Sequence, residues 1–299
     1  MNVVFYKSNK GNFGDDLNPW LWPQIFNGRY PDDLFFLGIG SVLSNDVDLV
    51  KVLPTEKVKV IFDAGVRQTY SPIKLNEGWD VFFLRGPLSS KAYNYQYPWI
   101  SDSGYCIRLL DIFPSLVNEP KMYDVSLMPH VTSARIFNWR KLCDKWGVHY
   151  ISPHSERGVE FTLREISRSK KIITEAMHGA IIADALRVPW HRFILSTPYY
   201  EGGAISEFKW EDWLLSINVN CQTSTYIKLK RKSKLNELVL KLSSNFIDIQ
   251  FIVKSLVKAE IENKLIGATD FYLSSDETIH RLDEELFEKV NLFKKKYSE

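Results

Sequence analysis

Lys171–Pro189, with the sequence KIITEAMHGAIIADALRVP, is the stretch that decides the fold. It opens with a short apolar run rich in β-branched residues, which predicts a buried strand. Apolar residues then recur at three- and four-residue spacing, which predicts a helix directly after the strand. His178 lies in the first turn of that helix, where unpaired backbone N–H groups and the helix dipole favour an anion. Its imidazole can contact a phosphate or carboxylate and move a proton; the alternative is a histidine that caps backbone or packs.

The composition indicates a folded protein that does not bind nucleic acid. The chain has 299 residues, 45% of them hydrophobic, enough for one large domain or two of ordinary size. Lys and Arg total 38 against 36 Asp and Glu, so no overall field draws nucleic acid. Three widely spaced cysteines favour a reducing compartment, and no apolar run is long enough to span a membrane. We therefore expect a cytoplasmic protein that is neither secreted nor inserted in a membrane.

Short apolar strands alternate with loops and helices, which is typical of α/β proteins with parallel sheets. A polar turn at 118–120 separates two such series, and this predicts two Rossmann-like domains facing each other across a cleft, at residues 1–118 and 119–225. The first series has predicted strands at 3–6, 34–37, 58–62, 81–84 and around 99–100. The second has them at 125–128, 149–152, 172–174 and 192–196. In the first series, Asn18 and Pro19 predict the start of a helix near Trp20, and another helix is expected near Leu88.

Ligands of open parallel sheets lie beyond the carboxyl ends of the strands, so the polar residues at those ends are candidates for a site. The glycine loop after the first strand lacks the third glycine of the dinucleotide fingerprint. His149, inside a predicted strand, and His280, in a late amphipathic helix, are interpreted as structural. The candidates at strand ends are Asn12, Asp15, Ser41, Arg85, Asp102, His130, His154 and His178.

The segment 208–213 places a lysine among aromatic residues. The indole of Trp210 could stack on a sugar face while Lys209 holds an anion; the alternative is that Trp210 and Trp213, at helical spacing, pack in the core.

Residues 226–299 predict a C-terminal helical extension that begins with a basic run. Its last helix has Ser274 and Glu277 as a possible capping box and one apolar stripe. We expect this extension to pack over the two domains; the alternative is that the basic run docks on the anionic inner face of a membrane. The stripe consists of Ile279, Leu282, Leu286, Val290 and Phe293, and the basic run of Lys228, Lys230, Arg231, Lys232 and Lys234.

Taken in order, these segments resemble the polysaccharide pyruvyl transferase family, and in particular its exopolysaccharide ketal-pyruvate transferases. The resemblance covers about residues 1–220. It implies a fold similar to GT-B glycosyltransferases, phosphoenolpyruvate as donor, a sugar diol as acceptor, usually on a lipid-linked repeat unit, and no metal or redox cofactor. The segments that carry it are Asn12–Trp20, Gly38–Ser41, Arg85–Pro87, Met128–His130, Glu175–Pro189 and Lys209–Trp213.

The resemblance also implies roles for single residues. His178 aligns with the family's histidine and is expected to bind the donor and to act as general acid and base. Asp15 is a second catalytic candidate, although Asp15 and Asp16 could each simply cap the following helix. The expected donor-binding residues are Arg85, His130, His178, Gly179 and Lys209, and the expected acceptor-binding residues are Asn12, Gly14, Asp15, Asp16, Ser41 and Trp210.

One position departs from the family pattern. Many members have an arginine two residues before the histidine, where this chain has Ala176. A cation for the donor then has to come from Arg85, His130 or Lys209. Two other functions remain open from the sequence: a glycosyltransferase of the same shape that uses a sugar nucleotide, and a non-catalytic carbohydrate-binding subunit.

Overall fold

Two parallel sheets form the centre of the structure, a computed structural model that describes residues 1–67, 71–227 and 249–299. The first sheet contains β1 Asn2–Val3, β2 Phe35–Leu37, β3 Lys59–Phe62 and β4 Trp79–Phe83, in that spatial order. The second has the order β6-β5-β7-β8-β9, with β5 Ser126–Met128, β6 His149–Tyr150, β7 Ile172–Thr174, β8 Trp190–Ile194 and β9 Thr225–Tyr226.

The predicted α/β class and the alternation of strands are therefore confirmed, with two corrections. The first strand ends at Val3 instead of Tyr6, and the strand expected around 99–100 is a single bridge between Trp99 and Leu84. The GT-B-like arrangement and the domain boundary at 118 stay predictions.

Helices connect the strands and cover the sheets. Within the described ranges, none of them combines the length and the apolar character needed to cross a bilayer. They are α1 Phe13–Ile25, α2 Asp48–Lys51, α3 Pro87–Ala92, α4 Phe113–Val117, α5 Trp139–Trp146, α6 Val159–Ser167, α7 Met177–Ala185, α8 Gly203–Ser216, α9 Ile249–Leu265 and α10 Asp276–Tyr297. Short 3-10 turns lie at Ser103–Leu109 and Ser133–Arg135, and a π-helical turn at Pro198–Gly202.

Helix α1 begins six residues earlier than Pro19 predicts, so the start assigned to Asn18 and Pro19 is wrong. Asn18 is buried inside the helix and donates from Nδ2 to Asp15 O at 3.2 Å. Asp15 O would otherwise lack its helical partner, because the ring nitrogen of Pro19 carries no hydrogen. The Oδ1 of Asn18 accepts from Ile39 N, and its Nδ2 donates to Ile39 O, both at 3.0 Å. Asn18 thus supports the helix and fixes the loop after β2.

The C-terminal helices pack back on the body of the protein, as expected. Helix α9 contributes Val257, Ile261 and Leu265 to a core that includes residues of the second sheet. Helix α10 lies on the first sheet, where the ring of Phe293 is 4.2 Å from that of Phe26.

The buried stripe on α10 is confirmed, and the capping box is corrected. Ser275 caps the helix by accepting from Thr278 N, so Ser274 and Glu277 do not form the pair proposed from the sequence. The basic run from Lys228 to Lys234 lies outside the described residues, and its interpretation is untested.

A buried ion pair joins the end of the first sheet to α8, which adjoins the second. Arg85 follows β4, and its Nε donates to Asp212 Oδ2 at 3.1 Å. The other oxygen of Asp212 accepts from Leu88 N and Ser89 N at the start of α3. Both charged side chains are at most 2% exposed, so each needs the opposite charge of the other to offset the cost of its burial.

We expect Asp212→Ala to lower the free energy of unfolding by about 3–5 kcal/mol, because it leaves the Arg85 guanidinium buried and uncompensated. Asp276→Ala is the matched control: this carboxylate also pairs with an arginine, Arg187, but is 86% exposed. Its loss should be below about 1 kcal/mol. Urea unfolding followed by circular dichroism measures both values, and equal losses would contradict the structural role of the buried pair.

Candidate functional site

A cavity of about 190 Å³ lies at the carboxyl ends of the strands of both sheets. Most of the polar residues that the sequence singles out at the strand ends line this cavity. These strand-end residues are Asn12, Asp15, Ser41, Arg85, His130 and His178. Three other predicted site residues also line the cavity: Gly14, Lys209 and Trp210.

Two predicted site residues and two strand-end candidates lie outside the lining. Asp16 accepts from Asn12 N at the start of α1 and from Ser155 Oγ, so the capping alternative describes it. Gly179 packs inward, because a Cβ there would overlap Thr174 Oγ1. His154 bonds through Nδ1 to Gly11 O at 3.0 Å, and Asp102 lies buried behind His178.

The glycine loop of the first half is tied to a loop of the second half beside the cavity. Phe13 N donates to Pro153 O at 2.9 Å, and Ser155 Oγ donates to Asp16 Oδ2 at 2.7 Å. These bonds hold the N-terminus of α1 against the loop that follows β6. The position of Gly14 and Asp15 in the cavity wall is therefore set by both halves of the chain.

His178 lies in the first turn of α7, as predicted, and its side chain is 19% exposed at the cavity wall. The N-cap residue, Ala176, makes no side-chain hydrogen bond, and the first turn contains no acidic residue, so residues of the helix itself do not neutralise its dipole at the cavity. A Cβ on Gly14 would overlap His178 Nδ1, which explains why a glycine stands in the wall next to the ring. On its other side, His178 Nε2 is 3.6 Å from Asp102 Oδ2.

Asp15 is the second titratable group close to His178. Burial raises the pKa of Asp15, and the charge of His178 and a hydrogen bond from Asn12 Nδ2, at 2.7 Å, offset part of that rise. A carboxyl group with a raised pKa exchanges protons nearer to neutral pH than an exposed one. Its surroundings are therefore compatible with the predicted catalytic role, which stays a prediction.

Carboxylates of the protein already contact the basic side chains that line the cavity. Arg85 pairs with Asp212, and its Nη1 donates to Ser41 Oγ at 2.6 Å. Lys209 Nζ lies 2.7 Å from Glu201 Oε2, and His130 Nε2 lies 3.1 Å from Glu201 Oε1.

The ionisation of Glu201 follows from these contacts. Burial acts to raise the pKa of Glu201, but the charge of Lys209 and the bond to His130 outweigh it and hold this pKa far below its usual range. Glu201 is therefore an anion in the cavity wall, in contact with both Lys209 and His130. Sequence reasoning missed this residue, because its contact with His130 joins two distant segments of the chain.

Glu175, which precedes Ala176, is a second residue that the sequence did not indicate. Its buried carboxylate accepts from the backbone N–H groups of Leu195, Ser196 and Thr197, and also from His130 N at 3.2 Å. One side chain at the end of β7 thus orders the loops after β8 and β5. The only signal in the sequence is its place between a strand and a helix.

Trp210 contributes to the wall but is only 3% exposed. It packs against Trp190 and Trp213, and the guanidinium of Arg192 lies 4.5 Å from its ring. The packing alternative accounts for most of its surface, whereas stacking on a sugar stays a prediction.

Arg67 also lines the cavity, paired with Asp46 at 2.9 Å, and was not a candidate. Nothing in its sequence surroundings distinguishes it from a surface arginine.

The chain is similar to the succinoglycan biosynthesis protein ExoV of Rhizobium meliloti (strain 1021). The two are 34% identical over 223 residues, which cover 73% of this chain and 66% of the relative. The chain thus spans just under two thirds of that protein's length. No protein-family model matches the sequence.

We expect Gly14→Ala to destabilise the protein by about 1–3 kcal/mol, because the added methyl group collides with the His178 ring and forces the two elements apart. Gly203→Ala, in the first turn of α8, is the matched control, since a Cβ there meets nothing closer than 3.9 Å. It should be neutral or slightly stabilising. Urea unfolding measures both, and equal stability of the two variants would show that the ring moves aside without cost.

Proposed function

We infer that the chain belongs with its Rhizobium meliloti relative among the proteins of exopolysaccharide biosynthesis, and we propose that it transfers pyruvate from phosphoenolpyruvate to a sugar diol. The product is a pyruvate ketal, and phosphate is released. The family resemblance implies that the acceptor is the sugar part of a growing, lipid-linked repeat unit.

The observation that carries this proposal is the position of His178. Its ring lies on the wall of a cavity at the uncapped N-terminus of α7, in the same cavity as Asp15, His130 and Lys209. A helix N-terminus and cationic side chains suit a small donor that bears a phosphate and a carboxylate. An imidazole beside them can deliver and accept protons near neutral pH.

The chemistry needs one acid and one base, and atoms balance with these two groups. His178 gives a proton to the methylene carbon of the enol phosphate, which leaves an oxocarbenium-like centre. One sugar hydroxyl attacks this centre, and its proton passes to His178 or Asp15. The bond from that carbon to the phosphate oxygen then breaks, phosphate leaves with the electron pair, and the second hydroxyl adds and gives its proton to the departing phosphate.

The size of the cavity favours this donor over a sugar nucleotide. Sites for drug-sized ligands usually enclose roughly 300–1,000 Å³, and the present cavity has a volume of about 190 Å³. Phosphoenolpyruvate is much smaller than a nucleotide sugar. The volume therefore supports a compact, highly charged donor.

The pairing of the cations indicates how the donor is accommodated. A donor anion that binds Lys209 and His130 competes with the carboxylate of Glu201, which already contacts both. Lys209 and His130 are thus held in place in the absence of donor, and Glu201 has to give up part of its contact when the donor binds.

We expect His178→Ala to slow phosphate release from phosphoenolpyruvate roughly 10²–10⁴-fold while the protein remains folded, because it removes the acid and base. The assay combines phosphoenolpyruvate with lipid-linked oligosaccharides from an exopolysaccharide-producing bacterium and detects phosphate and the ketal. His280→Ala, a change on the exposed face of α10, is the control and should keep full activity.

Full activity of His178→Ala would contradict this assignment. A thermal-shift comparison of phosphoenolpyruvate with UDP-glucose separates the two donor classes, because a bound ligand raises the melting temperature. Stabilisation by the nucleotide sugar alone would favour a glycosyltransferase instead.

We expect Glu201→Gln to bind phosphoenolpyruvate several-fold more tightly than the wild type, because the competing anion is removed from Lys209 and His130. Isothermal titration calorimetry measures the affinity. Glu207→Gln is the matched control: Glu207 also pairs with a buried cation, Arg192, but does not line the cavity, so its affinity should not change. Weaker binding by Glu201→Gln would mean that Glu201 supports the cations instead of competing for them.

A further inference from the structure

Two carboxyl groups lie buried behind His178, on the side away from Gly14. Asp63 directly follows β3, and Asp102 precedes the 3-10 turn that begins at Ser103. Asp63 is fully buried, and Asp102 is 1% exposed. Neither lines the cavity, so neither contacts a ligand there.

Asp102 has one oxygen that is satisfied and one that is not. Oδ1 accepts from Gly104 N at 2.9 Å, whereas Oδ2 is buried without a hydrogen-bond partner. His178 Nε2 lies 3.6 Å from Oδ2 and is also buried and without a hydrogen-bond partner. A buried carboxylate oxygen needs a donor, and a proton on Nε2 supplies one after a small shift of the ring.

The pKa values of the two carboxyl groups shift in opposite directions. Burial and the charge of Asp102 raise the pKa of Asp63 well above its ordinary value. For Asp102, burial acts to raise the pKa, but the charge of the nearby His178 ring, the hydrogen bond from Gly104 N and the charge of Arg85 outweigh it, and the pKa is lowered. Asp102 is therefore the carboxyl group that favours the charged form, and Asp63 is the one that favours the neutral form.

We propose that Asp102 is a positioning residue for His178: its carboxylate holds the tautomer with the proton on Nε2. The other ring nitrogen, Nδ1, faces Gly14 in the cavity wall and is then the one that exchanges a proton with the substrate. The second half of this statement rests on the proposed function, whereas the tautomer does not. Asp15, from α1, is a further titratable group whose charge acts on the ring.

An asparagine at 102 should reverse the tautomer. Its Oδ1 remains with Gly104 N–H, so its Nδ2 amide group points at His178 Nε2 and donates to it. Nε2 must then be the acceptor, and the proton moves to Nδ1. Asp63→Asn is the matched control at the neighbouring carboxyl group, because an amide resembles the neutral form that the raised pKa of Asp63 favours. Asparagine also tolerates the positive φ of 98° at this position.

The experiment is nitrogen NMR of the full-length protein with ¹⁵N-labelled histidine. The chain has six histidines, and the signals of His178 are those missing from His178→Gln. We expect the Nε2–H tautomer in the wild type and in Asp63→Asn, and the Nδ1–H tautomer in Asp102→Asn. With phosphoenolpyruvate and acceptor, kcat should fall roughly 10²–10⁴-fold in Asp102→Asn at similar KM, and less than about three-fold in Asp63→Asn.

Several results would overturn the proposal. An Nδ1–H tautomer in the wild type would overturn it. This test needs no variant, so it holds even if Asp102→Asn fails to fold. The proposal is also overturned if the wild type and Asp102→Asn show the same His178 tautomer, or if Asp63→Asn changes the tautomer as much as Asp102→Asn does. If no pyruvate transfer is found but the tautomers are as expected, the proposed function fails and the role of Asp102 toward the ring stands.

Discussion

The ion pair of Arg85 and Asp212 is the contact on which the cavity depends. It joins residues 127 positions apart, one at the end of the first sheet and one on α8. Through Nη1, Arg85 also fixes Ser41, and the second oxygen of Asp212 anchors the start of α3. The wall that carries Lys209 and Trp210 therefore has a fixed position relative to the strand ends of the first sheet.

A second buried carboxylate also fixes loop positions, on the other side of the cavity. Glu175 accepts hydrogen bonds from four backbone N–H groups in the loops after β5 and β8, and so fixes the backbone at His130. Backbone N–H groups bound to a carboxylate form strong, charge-assisted hydrogen bonds. The cavity is thus built before any ligand arrives, which reduces the ordering that binding requires.

The sequence predicts the strands, the helix of His178 and the edge at which the cavity lies, because each follows from a local pattern or from the strand-end rule. It does not predict the start of α1, since the side chain of Asn18 replaces the N–H that Pro19 lacks. Nor does it predict the pairs Arg85–Asp212 and His130–Glu201, because each joins segments far apart in sequence. Polar networks of this kind are properties of the folded chain, so a single sequence shows their members but not their connections.

The position of α10 has a consequence for how the protein is made. Phe293 completes the aromatic layer over the first sheet, next to Phe26 and Phe36. During synthesis, residues 2–83 are made before this helix, so the aromatic layer is exposed to water until α10 has been made and packs on it. Until then, the N-terminal sheet presents an open apolar face that can associate with other chains.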